Sequence, residues 1–274
     1  ARGSEVSAMT KPALIPMLAS AALCLLCPVL IALWWRKHSH CKLLTILIGA
    51  FTFLLFSQGL EGGLHYLCLV MDSPVSRAIS GSSLLYALYA AFAAGIFEES
   101  GRYLAFRTVL KKRTAPETAI SYGIGHGGIE MILVGSASFG LYSAVYFLYQ
   151  SGGEAALLSL AGSAEMIPAL LAQVSQFTTG FCLLALFERF IALAFHIAAS
   201  VFVFFAARDQ EKRYYFPLAI LLHAALDFPV ALYQRGHLPL WSVELYAAVF
   251  TLAVCIGAKK EYKDNLWKKL QPFR

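Results

Sequence analysis

The chain has 274 residues, of which 59% are hydrophobic and 14% are charged, and its mean hydropathy is +0.66. Ordinary soluble domains carry about 25% charged residues, so this composition excludes a typical soluble enzyme and predicts an integral membrane protein. The net charge of +6 could indicate nucleic-acid binding. However, the basic residues occupy short loops and the tail, where they set membrane topology and contact anionic lipid. We therefore predict the lipid bilayer as a partner and no nucleic acid.

The amino-terminal part divides at Met9. Residues 1–8 read ARGSEVSA, and we interpret them as a remnant of cloning. The first apolar run ends in ALWWRKHSHCK, an aromatic and basic anchor that lacks the small-residue pattern of a signal-peptidase site. We expect residues 9–274 to form a single integral-membrane domain.

Seven apolar segments are long enough to cross a bilayer, which takes about 20 helical residues. In chain order they lie at about 12–35, 43–70, 81–108, 118–148, 181–207, 214–234 and 239–258. The predicted fold class is therefore all-α, a polytopic bundle of transmembrane helices.

The segment 154–178 is harder to assign, because it is apolar but contains Glu154, Glu165 and Pro168. If it does not cross the membrane, every strongly basic loop falls on one side, as the positive-inside rule requires. We therefore predict seven spans in the cell membrane, with the amino terminus outside and the carboxyl terminus in the cytoplasm. Residues 154–178 then form an outer-surface or re-entrant segment, and eight spans are the alternative.

Four of the spans carry an ionisable side chain at nearly the same depth. At about 1.5 Å per helical residue, Glu98 and His196 lie roughly 20 and 18 Å from the cytoplasmic ends of their spans. By the same measure His126 and His223 lie roughly 14 and 15 Å from theirs. Ionisable groups inside the membrane are costly and usually functional. We therefore predict that these four side chains line one polar cavity.

Each of the four has a charged companion on its own helix. Glu98 and Glu99 precede Arg102 by four and three residues, so the arginine can pair with either carboxylate. Carboxylates accompany the histidines as well: Glu130 four residues after His126, Asp227 four residues after His223, and Glu188 two turns before His196. A carboxylate one turn from a histidine can orient its ring and fix its tautomer.

This set of residues favours hydrolysis by an activated water. A buried carboxylate can act as a general base, and histidines can bind a metal or stabilise an oxyanion. No serine or cysteine with an obvious base lies at this depth. The substrate we expect is a peptide or a membrane protein. The alternatives are a transporter or proton relay, and a scaffold that uses the same polar cluster.

The segments EESGR, YGIGH and HAALD, together with His196, resemble the four motifs of one membrane-protease superfamily. It includes the type II CAAX prenyl endopeptidases and the PrsW-type proteases. The closer likeness is to the YhfC family of intramembrane metalloproteases, and it extends over about residues 80–230.

The resemblance implies a role for each matched residue. It makes Glu98 the water-activating glutamate, supported by Glu99 and Arg102, and it matches Tyr122 and His126 to an aromatic-xxx-His motif. His223 and Asp227 match the final His-xxx-Asn/Asp motif. Two departures separate the chain from the prenyl endopeptidases: the arginine comes one residue earlier than in their EExxxR motif, and Tyr122 replaces the usual phenylalanine.

The most specific prediction concerns a metal. Three neutral imidazoles and a water form a known type of catalytic zinc site. We predict that His126, His196 and His223 hold one divalent metal, with zinc as the first candidate and Glu98 as the general base. Tyr122, Glu130, Glu188 and Asp227 would support these groups. In the competing arrangement Glu98 activates water without a metal, and His126, His223 or both stabilise the oxyanion.

Overall fold

The computed structural model describes residues 12–270, with side chains described as far as residue 265. The interpretation of residues 1–8 lies outside this part of the chain. Within it every regular element is helical and no strand occurs, which confirms the predicted all-α class.

The helices, in chain order, are α1 (Leu14–Ser39), α2 (Leu43–Val70), α3 (Pro74–Gly81), α4 (Ser83–Arg107), α5 (Glu117–Glu130), α6 (Ala137–Ala161), α7 (Ile167–Ser175), α8 (Thr179–Arg208), α9 (Tyr215–Gln234) and α10 (Leu240–Leu270). Wider π-helical turns occur within α2 at Leu54–Glu61 and Tyr66–Val70, and a third, Met131–Ser136, joins α5 to α6.

Between residues 12 and 270, six helical stretches are long and apolar enough to cross a membrane. They are α1, α2, the stretch α5–α6, which is interrupted by a kink at Gly153, α8, α9 with the turn before it, and α10. Helices α3 and α4 meet the same criterion only together, and they are bent by 108° at their junction. The protein is thus a multi-pass membrane protein with six such stretches, or seven if the bent pair is one span.

The segment 154–178 contains the end of α6 and the short helix α7. Gly162, with φ of 74°, adopts a left-handed conformation that ends α6. Helix α7 has nine residues, and at about 1.5 Å per residue it is roughly 13 Å long. A bilayer core of about 30 Å is more than twice that length. No helix within this segment is therefore long enough to span, although its predicted position at the outer surface stays a prediction.

The described residues form two compact units. One contains the described residues up to Cys27 and Met131–Arg189, and its core includes Val145 and Leu157. The other contains Pro28–Glu130 and the chain from Phe190 onward, with an aromatic core that includes these buried side chains: Phe106, Tyr122, Phe195 and Phe204. The prediction of a single domain stays a prediction.

Glycines allow close contacts between the helices of the second unit. A Cβ on Gly49 of α2 would overlap the carbonyl oxygen of Tyr122 on α5. A Cβ on Gly95 of α4 would lie 2.7 Å from the carbonyl oxygen of Ile220 on α9. Small residues let membrane helices approach in this way. These contacts bring the α5 segment around His126 against α2, and α4 against α9.

We expect Gly49→Ala to destabilise the protein by about 1–3 kcal/mol, the usual cost of forcing extra atoms into a packed interior. The added methyl group has to displace backbone, since the atom that it meets is the Tyr122 carbonyl. Thermal unfolding in detergent measures the effect. Gly63→Ala is the matched control, because Gly63 is also in α2 and has open space around it. Equal midpoints for the two variants would contradict the close contact.

Candidate active site

The structure brings Glu98, His126, His196 and His223 together inside the second unit. They come from α4, α5, α8 and α9 respectively, and all four are buried, with at most 6% of their surface exposed. Glu98 follows the close contact at Gly95 by one helical turn, which places its side chain beside α9. The four side chains therefore meet at the centre of a bundle of four helices.

One carboxylate oxygen of Glu98, Oε2, lies close to a ring nitrogen of each of the three histidines. Nε2 of His126 donates a hydrogen bond to Oε2 of Glu98 over 2.8 Å. Nδ1 of His196 lies 3.8 Å from the same oxygen, and Nε2 of His223 lies 3.9 Å from it. The ring centroids of His126 and His196 are 4.9 Å apart, and those of His196 and His223 are 5.4 Å apart. A single small ligand at Oε2 would contact all three rings.

Arg102 pairs with Glu99, the second of the two carboxylates that precede it in the sequence. Its Nη1 lies 3.2 Å from Oε2 of Glu99, and both side chains are fully buried. Nη2 of Arg102 lies 3.1 Å from Nδ1 of His196, and Nη1 donates to the carbonyl oxygen of His196. Because a guanidinium can only donate, Nδ1 of His196 is an acceptor in this arrangement.

Glu99 also fixes the ring of His223. Nδ1 of His223 donates to Oε1 of Glu99 over 2.8 Å. Nε2 then carries no proton when the ring is neutral, and it faces Oε2 of Glu98 and Oδ2 of Asp227, the latter at 3.4 Å. A histidine with one nitrogen held by a carboxylate is the usual arrangement for a metal ligand.

The remaining residues that were predicted to support the histidines are Glu130, Tyr122 and Glu188, and they do not all lie at the site. Glu130 follows His126 by four residues, but its carboxylate contacts Nε2 of His196 on α8. The ring of Tyr122 lies 5.9 Å from that of His126. Glu188 forms an ion pair with its neighbour Arg189 and belongs to the other compact unit.

Two phenylalanines that no sequence motif singles out form walls of the site. Phe195 packs edge-on against the rings of His196 and His223, with centroids 5.7 and 5.3 Å away. Phe53 packs edge-on against His126 at 5.2 Å. The position of Phe195 beside His196 in the sequence is a signal that could have found it, whereas the position of Phe53 on α2 follows only from packing.

Glu98, His196 and His223 offer ligand atoms that all lie within 4.8 Å of one another, and this cluster fits a metal site. Imidazole nitrogen and carboxylate oxygen are common zinc ligands. His126 lies next to this group through its bond to Glu98, and its Nδ1 is buried without a hydrogen-bond partner among the described residues. The three-histidine site predicted from the sequence stays a prediction.

Comparison with known proteins supports the same interpretation. A family model described as YhfC intramembrane metalloprotease matches residues 23–247. The chain is 32% identical over 256 residues to a protein of Bacillus subtilis (strain 168) named "Uncharacterized membrane protein YhfC". That alignment covers 93% of this chain and 96% of the relative. No solved structure matches.

Proposed function

Because the chain belongs to the YhfC intramembrane metalloprotease family, we propose that it hydrolyses peptide bonds within the bilayer with a water activated at Glu98. One observation carries this proposal: a buried carboxylate oxygen of Glu98 lies within 3.9 Å of a nitrogen from each of three histidines. Those histidines come from three other helices. Ionisable groups inside a membrane protein lower its stability, and such groups usually serve a function.

Glu98 acts first as a base and then as an acid. It accepts a proton from the water whose oxygen attacks the carbonyl carbon of the substrate peptide, and it returns that proton to the amide nitrogen as the C–N bond breaks. His126 keeps the carboxylate in place through its hydrogen bond to Oε2.

The residues that would hold a metal are Glu98, His196 and His223, the set with converging ligand atoms. When bound, a divalent metal, with zinc as first candidate, would polarise the water and the substrate carbonyl. One carboxylate oxygen of Glu98 would then bind the metal, and the other would accept the proton of the water. Glu99 holds His223 with Nε2 facing the site, and Glu130 contacts Nε2 of His196. Nδ1 of His196 would have to exchange its contact with Arg102 for the metal.

The test is a cleavage screen with the purified protein and a set of transmembrane peptides, together with elemental analysis. We expect cleavage that a chelator abolishes and added zinc restores, and about one metal ion per chain. His196→Ala and His223→Ala should both lose the metal, whereas Ser163→Ala, an exposed position in the other unit, should retain it. Active protein that contains no metal would overturn the metal site. The absence of cleavage with the metal bound would favour the transporter, proton relay or scaffold.

The orientation of the protein is part of the proposal. We expect the loops at 111–113 and 208–213 and the carboxyl terminus to share the cytoplasmic side, because these are the strongly basic segments. Single cysteines at Thr114 and Gln210, in a variant without the six native cysteines, should react with a membrane-impermeant reagent only after the cells are opened. A cysteine at His237 should react in intact cells. Labelling of 114 and 210 from opposite sides would contradict this topology.

A further inference from the structure

A second polar cavity lies far along α4 from Glu98, at the end of that helix. It has a volume of about 460 Å³ and lies between the start of α2 and the turn that follows α4. Its described lining residues are Lys42, Thr108, Val109, Lys111, Lys112 and Arg113. Four of these six side chains are cationic, and none of the six is a carboxylate.

The four cations have no ionic partner among the described residues. No ion pair within 4.0 Å joins Lys42, Lys111, Lys112 or Arg113 to a carboxylate in this part of the chain, whereas the nearby basic residue Lys212 pairs with Glu261. Four like charges around one cavity repel each other, and an anion inside the cavity would relieve that repulsion.

The amino end of α2 begins beside the same cavity, at Lys42. Lys42 is the residue before the first turn of α2, and its side chain does not cap that turn. The first N–H groups of a helix have no acceptor within the helix, and the helix dipole favours an anion beside them. The positive end of the α2 dipole therefore lies beside Lys42, which lines the cavity.

Hydrogen bonds from Arg208 hold the turn after α4 in place. The guanidinium of Arg208, at the end of α8, donates to the carbonyl oxygens of Phe106 and Leu110 over 2.9 and 2.6 Å, and to that of Arg113 over 3.2 Å. Through these three bonds Arg208 fixes the backbone that presents Lys111, Lys112 and Arg113. The cationic lining is therefore part of a fixed turn.

We propose that this cavity binds a phosphate-bearing anion, namely the headgroup of an anionic phospholipid. Arginine and lysine are the usual ligands of phosphate, and basic cavities at the ends of membrane helices suit anionic headgroups. The cavity lies at the start of α2 and the end of α4, which the topology proposed above places at the cytoplasmic surface of the membrane. A soluble phosphate compound offers the same chemistry, and the experiment separates the two sources.

The experiment compares two variants of the full chain that remove four positive charges each. The cavity variant carries Lys42→Gln, Lys111→Gln, Lys112→Gln and Arg113→Gln. The control variant carries Arg213→Gln, Lys259→Gln, Lys260→Gln and Lys263→Gln, all exposed positions elsewhere in the chain. Each protein, in uncharged detergent, is titrated with fluorescent phosphatidylglycerol, with fluorescent phosphatidylcholine, and with pyrophosphate followed by the shift in thermal midpoint.

We expect the wild type to prefer phosphatidylglycerol over phosphatidylcholine, and the cavity variant to bind it about tenfold more weakly or worse. The control variant should lose much less affinity than the cavity variant, because its four exposed charges do not converge on one cavity. Stabilisation by pyrophosphate alone, lost in the cavity variant, would support the same site with a soluble ligand. Equal losses in both variants, or no response to either probe, would overturn the proposal. If the cavity variant does not purify as a monodisperse protein, Lys111→Gln with Arg113→Gln gives the same comparison against Lys259→Gln with Lys263→Gln.

Discussion

Replacement of Glu98 by glutamine is expected to lower the rate of peptide hydrolysis by about 10²–10⁴-fold, the usual contribution of a general base. Glutamine has nearly the shape of glutamate, but its neutral amide cannot accept the proton of the attacking water. The measurement is the cleavage rate of a substrate found in the screen, at saturating concentration and with a verified fold.

Glu261→Gln is the matched control, because Glu261 is a half-buried carboxylate of the second unit that pairs with Lys212 and Tyr215 instead of the site residues. Its rate should be close to that of the wild type. Cleavage by Glu98→Gln at the wild-type rate would contradict the proposed base. The metal content of the same variant is informative as well. Loss of the metal would support Glu98 as a ligand, and full retention would favour the predicted three-histidine site.

Replacement of Arg102 by methionine is expected to destabilise the protein by about 3–5 kcal/mol, because it leaves the buried charge of Glu99 without its partner. Arg102 and Glu99 are both fully buried, and the guanidinium also contacts the ring and the carbonyl of His196. The measurement is the shift of the unfolding transition in detergent. A loss of activity should accompany it, because two histidines of the site are held through this pair.

Two further variants separate the charge effect from lost packing. Arg107→Met changes an exposed arginine of the same helix and should cost much less. The double variant Glu99→Gln with Arg102→Met removes both charges and should be more stable than Arg102→Met alone, because no unpaired carboxylate remains. If the double variant is less stable than the single one, the pair does not act as a buried ion pair.

The amino-acid sequence was sufficient for the class of protein, and it predicted one depth for its polar groups. Long apolar runs identify transmembrane helices because the bilayer requires every backbone polar group to be bonded within the chain. The constant rise of a helix then predicts the depth of Glu98 and the three histidines, since depth depends only on the count of residues from a helix end.

Irregularities of the helices are invisible in a hydropathy pattern. The π-helical turns in α2 and the 108° bend between α3 and α4 are examples. The bend lies at Ser82, whose side chain caps the first turn of α4, whereas hydropathy reports only that a segment is apolar. Helix α4 has 25 residues, enough to cross a bilayer core, but its polar residues, Glu98 and Glu99 among them, lower its hydropathy, and it meets the criterion only together with α3.

The partners of the polar groups were decided by the tertiary structure. Spacing along a helix shows which residues share a face, but it does not show which neighbouring helix that face meets. Glu130 shares a helix with His126 and yet contacts His196, and Arg102 pairs with Glu99 while Glu98 is left to the histidines. The rotation and separation of the helices set these contacts, through backbone approaches such as that of Gly95 to Ile220. The sequence by itself thus determined the class of the protein and predicted which groups share one depth, and packing decided which of them meet.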